Sequence, residues 1–510
     1  MTTEAMKPSL FMRFLNRIEY WGNKLPDPVM IFIGLSVLTI IASAILHMMN
    51  VSAFNPVTKQ TVEVVNLLTI DGLTQIINKA TSNFTEFPAL GVVLVVMFGI
   101  GVAEHSGYFK ALMISTVEKA PTKLIMPVII LVAMIGTVAG DASQIVVPPL
   151  AAMIFLRLGY HPIAGLVMAY AAALGAFAAN VVIGMADALA LSFTEAGLKT
   201  INVDVPVNIA MNWYFMTASM FLLLFVILFI THKVIIPRLG TYEAVGSVHE
   251  IDDLTDLEKR GLKWANYALM TILVLITLLA IPESSFLRSP ESGSLIDGPL
   301  IKGVAVVIAV IFFVPGLIYA VITKKAKSSK DIVEMMNRSM AGMSTFIVIV
   351  FFSAQMIAIF AWSNLGLIIA IKGASLLEHQ SGFVLIIGFI FITSLINIFI
   401  GSASAKWALL APIFVPMFLF LGYHPAFTQI LYRIGDSITN PITPMMAYLP
   451  LLLTFAKKYD KNMGLGTLIS NLFPYTLALG LIWTIFVLIW YWTGLPVGPG
   501  GPIHLEQQYF

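Results

Sequence analysis

The sequence predicts an all-α polytopic membrane protein with nine transmembrane spans and two oppositely oriented re-entrant hairpins. The first observation is composition: of 510 residues, 58% are hydrophobic and only 11% are charged, whereas soluble domains average about 25% charged residues. The second is that the apolar residues form long runs, two of which are broken at their centres by small or polar residues. A soluble globular enzyme is therefore excluded.

The same counts exclude other kinds of site. The chain contains no cysteine, so disulfides and thiolate metal sites are excluded. Its 8 histidines are scattered and never spaced as His-x-x-x-His, so a zinc enzyme has no visible ligands. The net charge of +2 gives no reason to expect a nucleic-acid partner.

A membrane-spanning helix needs roughly 20 apolar residues. Nine stretches satisfy this requirement, and the fifth of them lies within a linker region at 237–299. The predicted spans are about 28–48, 89–105, 162–194, 212–236, 265–282, 300–323, 343–361, 425–456 and 466–492.

Two further apolar stretches, about 123–158 and 382–421, are too long for one span. The first is interrupted by Thr137-Val-Ala-Gly-Asp-Ala-Ser143 and the second by Gly401-Ser-Ala-Ser-Ala405. Two short helices that meet at such a tip form a re-entrant hairpin. This backbone is tolerated at membrane depth only where it is buried in protein or lines a wet cavity.

Lysine and arginine determine the predicted orientation, because they are enriched in cytoplasmic loops. They cluster in the N-terminal segment and in alternate loops, and the residues after 493 contain none. All basic segments fall on one side if each hairpin returns to its own side. We therefore expect residues 1–27 to be a cytoplasmic amphipathic segment, the first span to stay uncleaved, and residues 494–510 to form an external tail. The predicted location is the bacterial inner membrane, in contact with lipid, with the C-terminus in the periplasm.

The chain also contains an internal repeat, of residues 28–236 and 300–493. Leu158-Gly-Tyr-His-Pro162 and Leu421-Gly-Tyr-His-Pro425 are identical, and each follows a predicted hairpin. Because the two hairpins enter from opposite sides, the repeats are antiparallel. Antiparallel repeats are the architecture of secondary transporters, whose binding site lies at the repeat interface near the membrane midplane.

In each repeat, the span after the hairpin is interrupted. The span at 162–194 contains Asn180 and Gly184, and the span at 425–456 contains Thr439-Asn-Pro-Ile-Thr-Pro444, which places Asn440 opposite Asn180 in the repeat. Prolines remove helical hydrogen bonds and clash with the preceding turn. Unwinding there frees carbonyls for cations and a half-helix N-terminus for anions, so Asn440 is a candidate substrate-binding residue.

Ionisable side chains at membrane depth are costly, so by default they indicate functional sites. The sequence places five of them in the predicted spans and hairpins: Asp141, Asp187, Lys406, Arg433 and Asp436. One alternative is that Arg433 and Asp436, three residues apart on one helix face, form a purely structural ion pair.

Several segments are specific when taken together: Asn23-Lys-Leu-Pro-Asp-Pro28, His161-Pro-Ile-Ala-Gly-Leu166, Asn212-Trp-Tyr-Phe-Met216, Ser402-Ala-Ser-Ala-Lys-Trp407, Ala411-Pro-Ile-Phe-Val-Pro-Met417, Arg433-Ile-Gly-Asp-Ser437 and Gly494-Leu-Pro-Val-Gly-Pro-Gly500. Through them the chain resembles, from end to end, the p-aminobenzoyl-glutamate transporter (AbgT) family, a branch of the ion-transporter superfamily. The resemblance implies a homodimer and cation-coupled transport of p-aminobenzoyl-glutamate or p-aminobenzoate, with sulfonamide export by some members. It also implies a substrate and ion path lined by Asp187, Asn397, Trp407, Pro425, Arg433 and Asp436.

Two of these side chains suit an aromatic carboxylate. Arg433 is the best cation at depth for a carboxylate, because its planar fork binds two oxygens. Trp407 is the best partner for a ring, although simple packing explains it equally well. Asn397 could bond only to the backbone.

The two repeats differ in their candidate coupling residues. We expect a sodium site in the first repeat, formed by Asp141, Ser143 and Asn180, since these oxygen-bearing residues have no basic neighbour there. The corresponding ion-coupling residues of the second repeat include Ser404, Lys406 and Asp436. There we expect the lysine ammonium to occupy the cation position and to exchange a proton during transport. The alternative is that Lys406 snorkels to the outer surface.

Two rival classes fit less well. An intramembrane aspartyl protease would carry Gly-x-Gly-Asp, but the segments that end at Asp141 and Asp436 lack the first glycine. A channel usually has its symmetry between subunits, whereas here it lies within one chain. The sequence therefore predicts a secondary transporter and no enzyme, with sodium or a proton as coupling ion and no other cofactor. It leaves open whether net transport is uptake of the aromatic carboxylate or efflux of a sulfonamide.

Overall fold

A computed structural model describes residues 26, 28–55, 59–139, 142–201, 203, 205–242, 254–295, 298–446 and 448–505. Nearly all of the predicted amphipathic segment 1–27 and the candidate ligand Asp141 lie outside these residues. In the described part, the regular structure is helical except for one antiparallel sheet of β1 (Ser52–Phe54) and β2 (Thr61–Glu63), in which Ala53 pairs with Val62.

The helices differ widely in length. In chain order they are α1 (Pro28–Met48), α2 (Ile70–Thr85), α3 (Pro88–His105), α4 (Tyr108–Glu118), α5 (Ile125–Ile135), α6 (Ala142–Arg157), α7 (Pro162–Tyr170), α8 (Met185–Lys199), α9 (Trp213–Ile230), α10 (Ile236–Leu239), α11 (Asp256–Ala280), α12 (Pro299–Lys302), α13 (Val304–Ile322), α14 (Ser329–Gly342), α15 (Ser344–Trp362), α16 (Leu365–Leu377), α17 (Gly382–Phe399), α18 (Ala403–Phe420), α19 (Pro425–Ile438), α20 (Tyr448–Ala456) and α21 (Leu465–Thr493).

Among the described residues, nine helices are long and apolar enough to cross a membrane. Seven of them, built on α1, α3, α9, α11, α13, α15 and α21, match predicted spans, although the second also takes in α2 and so begins at Ile70 rather than near residue 89, and α11 begins nine residues earlier than expected. The other two are α17 and α18, the arms of the stretch 382–421 that the sequence predicts as one hairpin. Each arm has 18 residues, which is about 27 Å at 1.5 Å per residue, close to the roughly 30 Å of a bilayer core. The number of long apolar helices therefore equals the predicted number of spans, but two of the nine are not predicted spans. The second hairpin stays a prediction.

The other predicted hairpin, at 123–158, has shorter arms. Helix α5 has 11 residues and continues as a 3₁₀ turn over Gly136–Ala139, and α6 has 16 residues. Helix α6 is thus about 24 Å long, short of a full crossing. A bend of 115° separates this first arm from α4.

The two predicted spans at 162–194 and 425–456 are not among the nine because each is interrupted. Helix α7 continues into a π-helix over Ala171–Gly175, and a non-helical segment then runs to the start of α8 at Met185. Helix α19 ends at Ile438, and a second non-helical segment precedes α20. Asn180 and Asn440 lie in these two segments, at the positions where the sequence predicts unwinding.

The two identical pentapeptides adopt the same local structure. Gly159 and Gly422 have φ of +79° and +86°, which glycine adopts without strain. His161 and His424 then each accept a hydrogen bond from the backbone N–H two residues later, and each following proline occupies the first helical position. One sequence therefore ends a helix and begins the next in both halves.

Burial separates a core from a periphery. All 14 residues of α19 are buried, and so are 67% of the residues in the apolar 18-residue stretch that forms α18. In α11 the corresponding share is 11%, and in α1 it is 17%. A helix that exposes so much apolar surface suits contact with lipid, while α7, α8, α18 and α19 surround the interior.

Two features were not expected from the sequence. Residues 494–505, which the sequence predicts as part of an external tail, pack against the start of α19. There the His424 N–H donates to the Ile503 carbonyl and the Leu505 N–H donates to the Gly422 carbonyl. In addition, α2 and α14 are amphipathic helices. A search for long apolar stretches overlooks such helices because about half of their residues are polar.

Candidate functional site

Two ion pairs lie in the interior between α8, α18 and α19. Arg433 Nη1 lies 2.7 Å from Asp187 Oδ1, and Lys406 Nζ lies 2.5 Å from Asp436 Oδ1. The four side chains are between 0% and 16% exposed. The alternative in which Arg433 and Asp436 neutralise each other is therefore wrong, because each has its partner on a different helix.

Arg433 joins the non-helical segment of the first half to the helix that follows it. Its Nη1 donates to Asp187 in the first turn of α8, and its Nη2 donates to the carbonyl of Ala178, which lies within the non-helical segment, at 3.4 Å. Asp187 in turn caps α8, since its Oδ2 accepts from the Gly184 N–H at 2.9 Å. A carboxylate is favourable at this helix N-terminus because the helix dipole is positive there. The Asp187 carboxylate thus both pairs with Arg433 and caps the N-terminus of α8.

Lys406 is held by the second half alone. Its ammonium donates to Asn397 Oδ1 as well as to Asp436. Asn397 donates through Nδ2 to the Asp436 carbonyl at 2.7 Å and to Thr439 Oγ1 and Asn440 Oδ1, both at 2.8 Å. The Lys406 residue is 0% exposed, so the alternative in which it snorkels to the surface is wrong. Asn397 bonds to side chains and backbone together.

A cavity of about 70 Å³ lies beside both ion pairs. Arg433, Asp436, Ser404, Trp407 and Tyr432 line it from the second half, and α8 lines it from the first. Its walls are otherwise apolar, so the arginine and the aspartate are its charged groups within the described part of the chain. A cavity lined by an arginine, an aspartate and an aromatic wall offers groups that suit an aromatic carboxylate, but its volume is smaller than such a molecule.

Trp407 is packed against protein and also lines the cavity. Its ring stacks on Tyr432 with centroids 4.3 Å apart and planes 22° apart, and its Nε1 donates to the Ala190 carbonyl and to Thr194 Oγ1, both at 3.0 Å. One face of the indole is therefore packed while the residue still lines the cavity. Tyr432 Oη donates to the Ala403 carbonyl at 2.5 Å, which ties α19 to the start of α18.

The predicted sodium ligands that can be described meet at the end of α5. Ser143 Oγ donates to the Ala133 carbonyl at 2.7 Å, and Asn180 Nδ2 donates to the Met134 carbonyl at 3.0 Å. Asn180 Oδ1 accepts from the Val182 N–H at 2.9 Å. The structure brings the two residues to one helix end but engages their polar atoms with protein. They do not line the cavity at Arg433.

Two of the remaining candidates differ in position. Pro425 occupies the first turn of α19, eight residues before Arg433, which is about 12 Å along the helix axis, and it does not line the cavity. Asn440 lies at the crossing of the two halves, where its Nδ2 donates to the Leu174 carbonyl at 3.3 Å. The Ala178 N–H donates across the same crossing to Ser437 Oγ at 3.3 Å.

Sequence reasoning missed a buried polar chain behind the cavity. Thr194 Oγ1 bonds to Gln429 Oε1 at 2.7 Å, and Gln429 Nε2 donates to Asn212 Oδ1 at 2.8 Å. Tyr432, which closes the other side of the indole, was missed as well. The available signal was the spacing of polar residues at 429, 433 and 436 on α19, which puts them on one helix face.

Comparisons with known proteins agree over nearly the whole chain. Residues 13–505 match the family model of AbgT transporters. The p-aminobenzoyl-glutamate transport protein of Escherichia coli strain K12 is 37% identical over 485 residues, which is 95% of each chain.

Solved structures agree as well. The YdaH transporter of Alcanivorax borkumensis has a TM-score of 0.89 at 37% identity, over 93% of this chain and 100% of that one. MtrF of Neisseria gonorrhoeae, from a class of antimetabolite efflux pumps, has a TM-score of 0.89 at 39% identity, over 96% and 100%. The resemblance expected from the sequence is thereby confirmed: the chain belongs to the AbgT family and is a membrane transporter rather than an enzyme.

Proposed function

We propose that this protein is a cation-coupled secondary transporter of p-aminobenzoyl-glutamate and p-aminobenzoate-like aromatic carboxylates across the bacterial inner membrane. The observation that carries the proposal is the cavity in which Arg433 and the stacked pair of Trp407 and Tyr432 face the same enclosed space. The Escherichia coli relative, a p-aminobenzoyl-glutamate transport protein, supports this substrate class.

Recognition follows from the chemistry of Arg433. A guanidinium carries five N–H donors and binds a carboxylate through two parallel ones. A single protein carboxylate therefore leaves donors free for a second one. Here Asp187 Oδ1 is the internal carboxylate on Arg433 Nη1. A substrate carboxylate would compete with it, and its ring would pack against the indole of Trp407. Because Asp187 also caps α8 at Gly184, that competition would loosen the first half of the transporter when substrate binds.

The cavity must enlarge to admit a substrate. It measures about 70 Å³, whereas pockets for drug-sized ligands are about 300–1,000 Å³. This closed state is the kind of intermediate that alternating access requires. Opening would separate α18, which carries Ser404 and Trp407, from α8 and α19, and it would break the bond from Tyr432 Oη to the Ala403 carbonyl.

The proposed architecture is an inverted repeat with nine spans, two hairpins, a cytoplasmic N-terminus and a periplasmic C-terminus, assembled as a homodimer. Two observations support the repeat: the identical local structure at Gly159 and Gly422, and the interruption of the following helix in both halves. The interruptions cross, and a Cβ on Gly175 would lie 3.0 Å from Pro441. Two broken helices in contact at the centre of the fold suit a binding site at the repeat interface.

Coupling is proposed to differ between the halves. In the first, sodium would bind at Asp141, Ser143 and Asn180. The meeting of Ser143 and Asn180 at the end of α5 supports that site. In the second, the Lys406 ammonium would stand in the cation position, and its contacts with Asp436 and Asn397 support this. Proton release from that lysine would then take part in the cycle.

A second candidate function uses the same machinery in the other direction. MtrF comes from a class of antimetabolite efflux pumps, and sulfonamides are aromatic amines of similar size to p-aminobenzoate. We therefore propose sulfonamide efflux as the alternative. Net direction depends on the gradients and on the coupling stoichiometry.

Counterflow in proteoliposomes tests the proposal. Vesicles that contain the purified protein and are loaded with unlabelled p-aminobenzoyl-glutamate should transiently accumulate the labelled compound, and p-aminobenzoate and a sulfonamide should compete. The Asp141→Asn variant should lose the sodium dependence of this exchange. Arg338→Ala is the control for variants of Arg433, since Arg338 also pairs with a carboxylate but is exposed, and it should leave counterflow unchanged. Gradient-independent current, or no counterflow of any of the three compounds, would contradict a carrier of this class.

A further inference from the structure

A groove with basic residues at one end lies between α11 and α13. It has a volume of about 710 Å³. Its lining includes Arg260, Trp264, Tyr267 and Thr271 of α11, Ile318 of α13, and Lys324 just after α13 ends. The mechanism proposed above uses none of these residues, and they lie on the exposed periphery of the described fold rather than at the cavity of Arg433.

The floor of the groove is a close helix contact. Gly261 allows it, because a Cβ there would lie 3.0 Å from Thr323 and 3.2 Å from Tyr319. Gly261 and Ala265 are buried in this contact. The groove residues on α11 lie on the neighbouring face, at spacings of four, three and four residues from 260 to 271, which form one continuous stripe. The groove residues of α11 thus flank the close contact between the two helices.

Its chemistry changes along its length. Arg260 and Lys324 lie at one end, because α11 begins where α13 ends. Trp264 and Tyr267 follow and are 52% and 54% exposed, with their rings edge to face at 5.9 Å. From Arg260 to Thr271 the helix rises about 16 Å, which is about half of the roughly 30 Å hydrocarbon core and so about one leaflet.

The basic residues have no internal counter-charge in the described part of the chain. Neither Arg260 nor Lys324 makes an ion pair there. The neighbouring Glu258 is engaged by Thr255 in the cap of α11. The dipole at the end of α13 accounts for a lysine at position 324, but not for the arginine and the two aromatic rings opposite it.

We propose that this groove binds one anionic phospholipid. The phosphodiester lies between Arg260 and Lys324, the glycerol region contacts Trp264 and Tyr267, and an acyl chain runs along the groove towards Thr271. Charge complementarity favours a lipid over a second copy of the chain, since a two-fold contact would bring like basic patches together. Clusters of Lys and Arg beside membrane helices attract anionic head groups in this way, and Trp and Tyr are enriched at that level of the bilayer.

Native mass spectrometry of the full-length protein in detergent tests the proposal, with dioleoyl phosphatidylglycerol and dioleoyl phosphatidylcholine as probes. Wild type should retain one phosphatidylglycerol in preference to phosphatidylcholine. The double variant R260Q/K324Q should bind phosphatidylglycerol roughly 30-fold more weakly, from about 1 kcal/mol for each basic residue. Thr271→Trp should weaken binding of both lipids by filling the groove, with the charges intact. Lys457→Gln, which removes an exposed lysine beside another helix, is the matched control and should bind as wild type does.

Several results would overturn the inference. Equal binding of the two lipids by wild type would mean ordinary annular lipid, and unchanged binding by R260Q/K324Q would mean that these residues do not bind the phosphate. Displacement of phosphatidylglycerol by millimolar inorganic phosphate would indicate a site for a soluble anion. A change in subunit number in R260Q/K324Q with unaltered lipid binding would make the groove an interface between copies. The assay needs no transport, so its outcome is independent of the proposed substrate.

Discussion

Replacement of Arg433 by lysine separates a geometric role from a mere positive charge. In the structure, Arg433 uses two nitrogens, with Nη1 on Asp187 at 2.7 Å and Nη2 on the Ala178 carbonyl at 3.4 Å. Lysine keeps the charge but offers one compact ammonium on a flexible stem. It could satisfy Asp187 or a substrate carboxylate, but it could not present two parallel donors. We therefore expect Arg433→Lys to impair transport almost as much as Arg433→Ala.

The structure gives the size of the effect. Hydrogen bonds to charged groups contribute about 1.5–3 kcal/mol each, and loss of one of the two donors to a substrate carboxylate weakens its binding by about 10- to 100-fold at 1.4 kcal/mol per decade. Arg433→Ala has a further cost, because it leaves Asp187 largely buried and unpaired. Breaking a buried pair costs about 3–5 kcal/mol of folding stability. The double variant R433A/D187N should recover most of that stability and none of the transport.

Two measurements distinguish these outcomes: the initial rate of counterflow against substrate concentration, and the thermal midpoint of the purified protein in detergent. Arg433→Lys should lower counterflow at least about tenfold at sub-saturating substrate, with a midpoint close to that of wild type. Near-normal counterflow by Arg433→Lys would refute the two-donor argument and reduce Arg433 to a counter-charge for Asp187. Recovery of transport in R433A/D187N would remove Arg433 from the substrate site altogether.

Three further predictions concern coupling, topology and folding. Lys406→Gln should reduce the pH sensitivity of transport or steepen its sodium dependence, and unaltered profiles in proteoliposomes would exclude the lysine-occupied site. In single-cysteine variants of this cysteine-free chain, a membrane-impermeant thiol reagent added outside should label position 505 and not 458; the opposite pattern would contradict the predicted orientation. Gly422→Ala should lower stability by about 1 kcal/mol, because φ is +86° and a Cβ would meet nothing within 4 Å, so the cost lies in the backbone. Gly388→Ala, also without a Cβ contact but within α17, is its control and should not lower the thermal midpoint.

The candidate site was only partly foreseeable. The cost of charge at membrane depth selects Asp187, Lys406, Arg433 and Asp436 from the sequence without any structure, and all four meet in the interior. Their pairing was not foreseeable, because spacing within one helix favours Arg433 with Asp436. The partners that form come from α8 and α18, and contacts between distant segments leave no mark on local periodicity.

The membrane-spanning helices were also foreseeable only in part. Long apolar runs identify seven of the nine long helices within a few residues, apart from the start of α11 and the continuation of α3 back through α2, because burial in lipid requires length and hydrophobicity that are visible in the sequence. The arms at α17 and α18 are long enough by themselves to be counted as spans. Length therefore does not separate a hairpin from two crossings, and depth in the bilayer depends on what each arm packs against.

The sequence by itself determined that this chain lies in a membrane, that it breaks two of its helices, and that the same five residues end one helix and begin the next in both halves. Those properties are local: they depend on composition, on proline and on the left-handed backbone that glycine permits. Only the tertiary structure decided that Lys406 stays inside with Asp436 and that Arg433 joins the non-helical segment at Ala178 to α8 at Asp187. A buried charge is stable only beside an opposite charge or hydrogen-bond partners, and here the folding of helices far apart in sequence brings those partners together.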